Sequence, residues 1–149
     1  MNLTEANPAY SGALPVSATS VLLSYNDTFS TASAQVNLTQ QVPGEVGLTA
    51  SFTGLSPNGL HQFHIHQTGD LSDGCTNLGP AYSINGTYVG QLGNITADEN
   101  GEANVQLTFT TIELAGPYSV LGRAMQFHWP IDDSPLSYGS MACGVIGLA

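Results

Sequence analysis

The chain has 149 residues, 42% of them hydrophobic and only 8% charged, which suits one domain with a substantial core and excludes a disordered chain. It contains no lysine and a single arginine, Arg123, against 11 acids, for a formal net charge of −10. That balance excludes nucleic acid and anionic membrane surfaces as partners, and no apolar run is long enough for membrane insertion.

Residues 1–17 are polar and carry Pro8 and Pro15, so the expectation is a flexible N-terminal arm ahead of a domain spanning 18–149. Met1 is followed by NLTEANPAYSG, which has neither a basic start nor an apolar run. The expectation is therefore a chain whose leader has been removed, or one domain of a longer protein. Short alternating runs then follow: TSVLLSY (19–25), SAQVNLT (33–39), EVGLTASF (45–52), HQFHIHQ (61–67), NVQLTFT (104–110) and AMQFHW (124–129). Each has the period-two pattern of a half-buried strand, and CGVIGLA (143–149) reads as a buried one. SPNG (56–59) and DENG (98–101) are turn signals, and nothing in the sequence has the pattern of an amphipathic helix. Seven or eight short strands predict an all-β sandwich or barrel. Residues 68–88 form the longest interruption, and 130–142 a second, both long enough for functional loops.

Three of the four histidines fall within HQFHIH. On a strand, His61, Phe63 and Ile65 share one face and His64 and His66 the other, the latter two about 7 Å apart. The apolar face turns inward, which leaves His64 and His66 outward. AMQFHW repeats the pattern, with Met125 and Phe127 inward and Ala124, Gln126 and His128 outward. His64, His66 and His128 are then candidate ligands for zinc or copper beneath the two long loops; surface histidines are the alternative. Trp129 and Phe127 are read as packing residues.

Sequons begin at Asn2, Asn26, Asn37, Asn85 and Asn94, where 10 Asn and 28 Ser plus Thr give about two by chance. Glycans at these five positions would solubilise a surface without lysine and imply secretion. The two cysteines, Cys75 and Cys143, are either one bridge or two buried thiols.

The stretch HQFHIHQTGDLSDGCTNLGP resembles the metal-loop signature of the Cu,Zn superoxide dismutases. QLGNITADENGEANVQL, LGRAMQFH and ACGVIGLA continue that resemblance in register from about Gly54 to Ala149. It implies an eight-stranded antiparallel Greek-key β-barrel, a Cys75–Cys143 disulfide, and one copper per chain held by His64, His66 and His128. It gives His61 and Arg123 structural roles and makes Asp132 an orienting partner of the ligand histidines; the alternative for Asp132 and Asp133 is a solvated turn. Val120, Leu121, Ile146 and Leu148 fall where the family dimerises, and are either such a homo-oligomer face or core. The departures are equally specific. Ala81 stands where the family has its bridging histidine, Tyr88 and Gln91 replace two zinc ligands, the segment bearing another is deleted, and Ser140 replaces an arginine. Tyr82 and Tyr88 are expected to fill the space left by the zinc loop. The resulting expectation is a secreted, copper-only, zinc-less domain with superoxide as substrate and weak or vestigial dismutation. The alternative is a non-catalytic extracellular structural or metal-carrying protein on the same fold.

Overall fold

A computed structural model describes residues 13–25, 31–130 and 140–149. Asp132, Asn2 and Asn26 lie outside the described residues. The strands are β1 (Val16–Leu23), β2 (Ser33–Val42), β3 (Glu45–Thr53), β4 (Leu60–His66), β5 (Ser83–Ile84), β6 (Thr87–Tyr88), β7 (Gln91–Thr96), β8 (Ala103–Phe109), β9 (Ala124–His128), β10 (Ser140–Val145) and β11 (Gly147–Leu148). Among the described residues there is no helix.

Eight of these strands lie on one antiparallel hydrogen-bonded path, β7-β4-β9-β10-β1-β2-β3-β8, with β11 adding to β1. The two ends of the path, β7 and β8, approach each other, so the path curls into a nearly closed barrel. Neighbours distant in sequence, such as β10 beside β1, give it Greek-key crossovers. This is the all-β architecture expected from the run of short alternating strands. β7 and β8 are joined by the DENG turn, where Asp98 Oδ1 accepts from the backbone N–H groups of Asn100 and Glu102 at 2.8 and 2.9 Å.

Alternation explains the core. Val16, Ala18 and Leu22 of β1, Ala34, Val36 and Leu38 of β2, and Val46, Leu48 and Phe52 of β3 are buried while the residues between them are largely outside. Phe52 meets Phe63 and Phe127 edge-on at 5.5 and 5.3 Å between ring centroids, tying β3 to β4 and β9 across the interior. Phe63→Ala is therefore expected to cost about 3–5 kcal/mol in urea unfolding. A loss under about 1 kcal/mol would mean that the barrel does not close around this ring.

One buried polar residue needs an explanation. Gln40 breaks the apolar pattern of β2, yet its side chain is completely enclosed. Its Oε1 accepts from Leu114 N–H at 2.7 Å and its Nε2 donates to Glu113, whose other oxygen accepts from Gly44 N–H at 2.9 Å. The amide thus satisfies the backbone where the 110–122 loop covers the barrel end, which offsets its desolvation.

The structure departs from the sequence expectation in three places. β1 starts at Val16, three residues before TSVLLSY. β7 was absent from the strands expected from alternation, because Gly93 (φ 107°) sits at an irregularity in the β4–β7 register and gives β7 the uneven burial order out-in-out-out-in-out. The 68–88 interruption also contains regular structure. Asn85 (φ 51°) and Gly86 (φ 82°) form a two-residue turn that pairs Ser83 with Tyr88 and Ile84 with Thr87. Positive φ at both turn residues is what Asn-Gly favours in a tight hairpin.

Candidate metal centre

The parity expected for β4 is present. His61, Phe63 and Ile65 are fully buried, whereas His64 and His66 are half-buried on the opposite face. β9 lies antiparallel to β4 with His64 opposite Gln126, so His128 arrives two residues further along the neighbouring strand. The result is a cluster of three imidazoles. One ring nitrogen from each of His64, His66 and His128 lies within 4.8 Å of the others, and ring centroids are 5.3 to 6.3 Å apart.

Hydrogen bonds fix how these rings are presented. His66 Nδ1 donates to the Gly79 carbonyl at 2.8 Å. A carbonyl can only accept, so Nδ1 carries a proton, and in the neutral ring the lone pair is on Nε2. That Nε2 is buried and has no hydrogen-bond partner among the described residues, as suits an atom reserved for a metal. His61 Nδ1 likewise donates at 2.8 Å to the carbonyl of His128, bracing the backbone that presents the third ligand from inside the barrel. Burial first, and the charge of His66 second, lower the His64 pKa from its ordinary value. At neutral pH His64 is therefore an unprotonated imidazole with a lone pair to offer. Three imidazoles with no thiolate suit zinc or copper, since both cysteines are joined to each other.

Above the site, the loop leading from β4 folds back along it. Gln67 N–H donates to Pro80, Thr68 N–H to Leu78, and Ala81 forms an isolated bridge with His66. Directly bridged residues share a face, so the methyl group of Ala81 sits beside His66. The 83–88 hairpin is anchored by Gly90, whose carbonyl accepts from Ile65 N–H at 2.7 Å and whose N–H donates to Tyr82. A Cβ at Gly90 would collide with the Ile65 carbonyl, so only glycine allows this approach.

Cys75, from the same loop, is disulfide-bonded to Cys143 on β10. Together with Leu78 and Ala124 the pair forms a second, small apolar cluster outside the barrel. This roof corrects one part of the strand reading. Ala124 and Gln126 do face away from the main core, yet both are buried, because the loop covers them and Gln126 Nε2 donates to the Cys75 carbonyl at 3.3 Å. With a sequence separation of 68, the crosslink is expected to contribute roughly 4 kcal/mol through loop entropy. Urea unfolding with and without reductant should show that difference; equal midpoints, or two thiols titrating in non-reduced protein, would contradict it.

Arg123 is held rather than free. Its Nη1 donates to the Gln67 carbonyl at 2.8 Å, its Nε to Ser119 at 3.2 Å, and its guanidinium lies 3.9 Å from the Tyr82 ring centroid. Tyr82 is 2% exposed and donates to the Tyr118 carbonyl at 2.9 Å, so it fills interior space. Tyr88, at 62% exposure, does not. Burial raises the Tyr82 pKa, and Arg123 opposes that rise. Val120, Leu121 and Ile146 are core, and only Leu148 of that group is exposed. The backbone of Ser140 pairs with that of His128. Of the expected glycosylation sites, Asn37, Asn85 and Asn94 fall among the described residues and all are exposed. Sequence reasoning missed Gly79, whose only signal was the Leu-Gly-Pro turn before Ala81.

A family model described as copper/zinc superoxide dismutase matches residues 32–146, more than half of the chain. It spans all three clustered histidines and both cysteines. With this barrel, this disulfide and this histidine cluster, the match means that the chain belongs to the copper/zinc superoxide dismutase family.

Proposed function

We propose that the protein is a secreted, copper-only member of the family with weak or vestigial dismutation of superoxide. The observation that carries this reading is the buried Nε2 of His66, without a hydrogen-bond partner among the described residues, converging with ligand nitrogens of His64 and His128. When bound there, copper would supply one-electron chemistry that no protein side chain provides as readily. The chain's part is to hold the three imidazoles in place, with Gly79 orienting His66 and His61 bracing the backbone of His128.

The zinc-less reading is supported by the residues where the family places zinc ligands. Ala81 has no donor atom, Tyr88 is exposed and Gln91 is exposed. His61, the remaining histidine, is in the core. Secretion is supported by the five sequons and the disulfide. A second reading, a non-catalytic extracellular copper-carrying or structural protein, is favoured by electrostatics. The single arginine is hydrogen-bonded to the backbone beneath the loop, and a net charge of −10 repels an anionic substrate. The test is metal analysis of native protein by mass spectrometry, followed by a dismutase assay on the copper-loaded chain. About one copper and no zinc per chain supports the proposal; stoichiometric zinc overturns the copper-only part. Absence of turnover above free copper selects the second reading.

A further inference from the structure

The outer face of β1, β2, β3 and β8 lies away from the histidine cluster and has an unusual composition. Register places Thr19, Asn37, Thr49 and Gln106 in one row across the four strands. The next row on one side continues with Gln35, Ser51 and Asn104, and the row on the other side contains Gly47. Two shallow depressions of about 390 and 220 Å³ flank the central row, and Asn37 borders both. No charged residue lines either one. Apart from the exposed Val21 beside Gln35, the outward side chains of this face are mainly amides and hydroxyls, with no charged group in either depression. It also lacks the aromatic and arginine anchors that dominate protein interfaces and the cations that nucleic acid requires. Its chemistry matches the hydroxyl and acetamido groups of a neutral sugar.

Asn37 begins the Asn-Leu-Thr sequon, and the strand period puts Asn37 and Thr39 side by side on this face, both exposed. Thr19 Oγ1 donates to the Val36 carbonyl at 3.1 Å and lies 3.5 Å from Asn37 Oδ1, and neither contact uses Nδ2, the atom that carries an N-linked sugar. We infer that Asn37 is N-glycosylated and that the glycan lies on the neutral face of β1, β2, β3 and β8, in the two depressions beside its attachment point. In the modification, Asn37 Nδ2 bonds to the anomeric carbon of a lipid-linked oligosaccharide, the bond to the lipid diphosphate breaks, and one amide proton leaves with the diphosphate. The inference rests on the secretory route proposed above and is independent of the copper reading. Asn85, at a hairpin tip, and Asn94, on β7, border neither depression.

The test is secretion of the full chain from a eukaryotic host as wild type, Thr39→Ser and Thr39→Ala. Peptides must come from chymotrypsin, because trypsin could cut only after Arg123. Wild type and Thr39→Ser should carry a glycopeptide containing Asn37, and Thr39→Ala should lose one oligosaccharide from its intact mass. Amide exchange in β2, β3 and β8 should then be faster in Thr39→Ala, beyond the difference that the same two variants show when made unglycosylated in bacteria. Unmodified Asn37 beside glycosylated Asn85 or Asn94 overturns the inference and leaves the secretory route standing. Bare sequons throughout overturn both. A glycan at Asn37 with no excess change in exchange overturns its seat on the sheet.

Discussion

Replacing His128 with alanine is expected to abolish tight copper binding while leaving the barrel folded. Three imidazole nitrogens form the whole donor cluster found among the described residues, so losing one leaves two. Removing a mere supporting partner of a metal ligand typically costs ten- to hundredfold in affinity. Loss of a ligand itself should therefore exceed about a hundredfold. His128 is half-buried at the end of β9, so the fold should tolerate the change, and circular dichroism should be unaltered. Competition against a chelator of known affinity measures the loss. If copper stoichiometry survives simultaneous alanine substitution of His64, His66 and His128, the site lies elsewhere.

The second expected result concerns turnover. The copper-loaded chain should dismutate superoxide far below the diffusion ceiling of about 10⁹ M⁻¹s⁻¹. The resemblance implies two missing contributions, because Ala81 stands where it would place an imidazole and Ser140 where it would place a cation. Each is expected to change the rate by about tenfold to a hundredfold, or roughly 1.4–2.7 kcal/mol of barrier. The backbone makes both restorable. Ala81 is bridged to His66, so Ala81→His would start beside the cluster, and Ser140 pairs across β9 and β10 with His128. Ala81→His and Ser140→Arg should therefore raise the rate. Ionic strength gives a second readout. The wild-type rate should rise with salt as the repulsion of a −10 chain is screened, and Ser140→Arg should flatten that rise. A wild-type rate near the ceiling, or one falling with salt, would refute this account.

The histidine cluster was legible because period-two alternation is strict in HQFHIH. Phe63 and Ile65 can only point inward, which decides where His64 and His66 go. The same logic succeeded only partly on β9. Alternation gives the side of the strand on which Ala124 and Gln126 stand, but burial there depends on the 68–82 loop lying over them, a tertiary fact. β7 escaped because Gly93 interrupts its alternation. The Asn85–Gly86 hairpin has a strong local turn signal, yet its two-residue strands are too short to show a pattern. Gln40 carried no warning either, since its partners, Glu113 and the Leu114 N–H, lie more than seventy residues away.

The way the loop over the cluster is closed bears on the order in which the molecule is assembled. Between Gln67 and Gly90 the chain holds itself in place through backbone hydrogen bonds, a tight hairpin and a crosslink, with no histidine among its residues. A segment tethered in this way does not need an ion to organise it, unlike domains whose folding free energy is their metal-binding free energy. The Gly79 carbonyl that orients His66 belongs to that self-supported segment, so the presentation of this ring rests on the chain's own contacts. On the copper reading proposed above, the metal would be the last component added, after folding and oxidation of the cysteines are complete, and its supply would be uncoupled from the survival of the apoprotein.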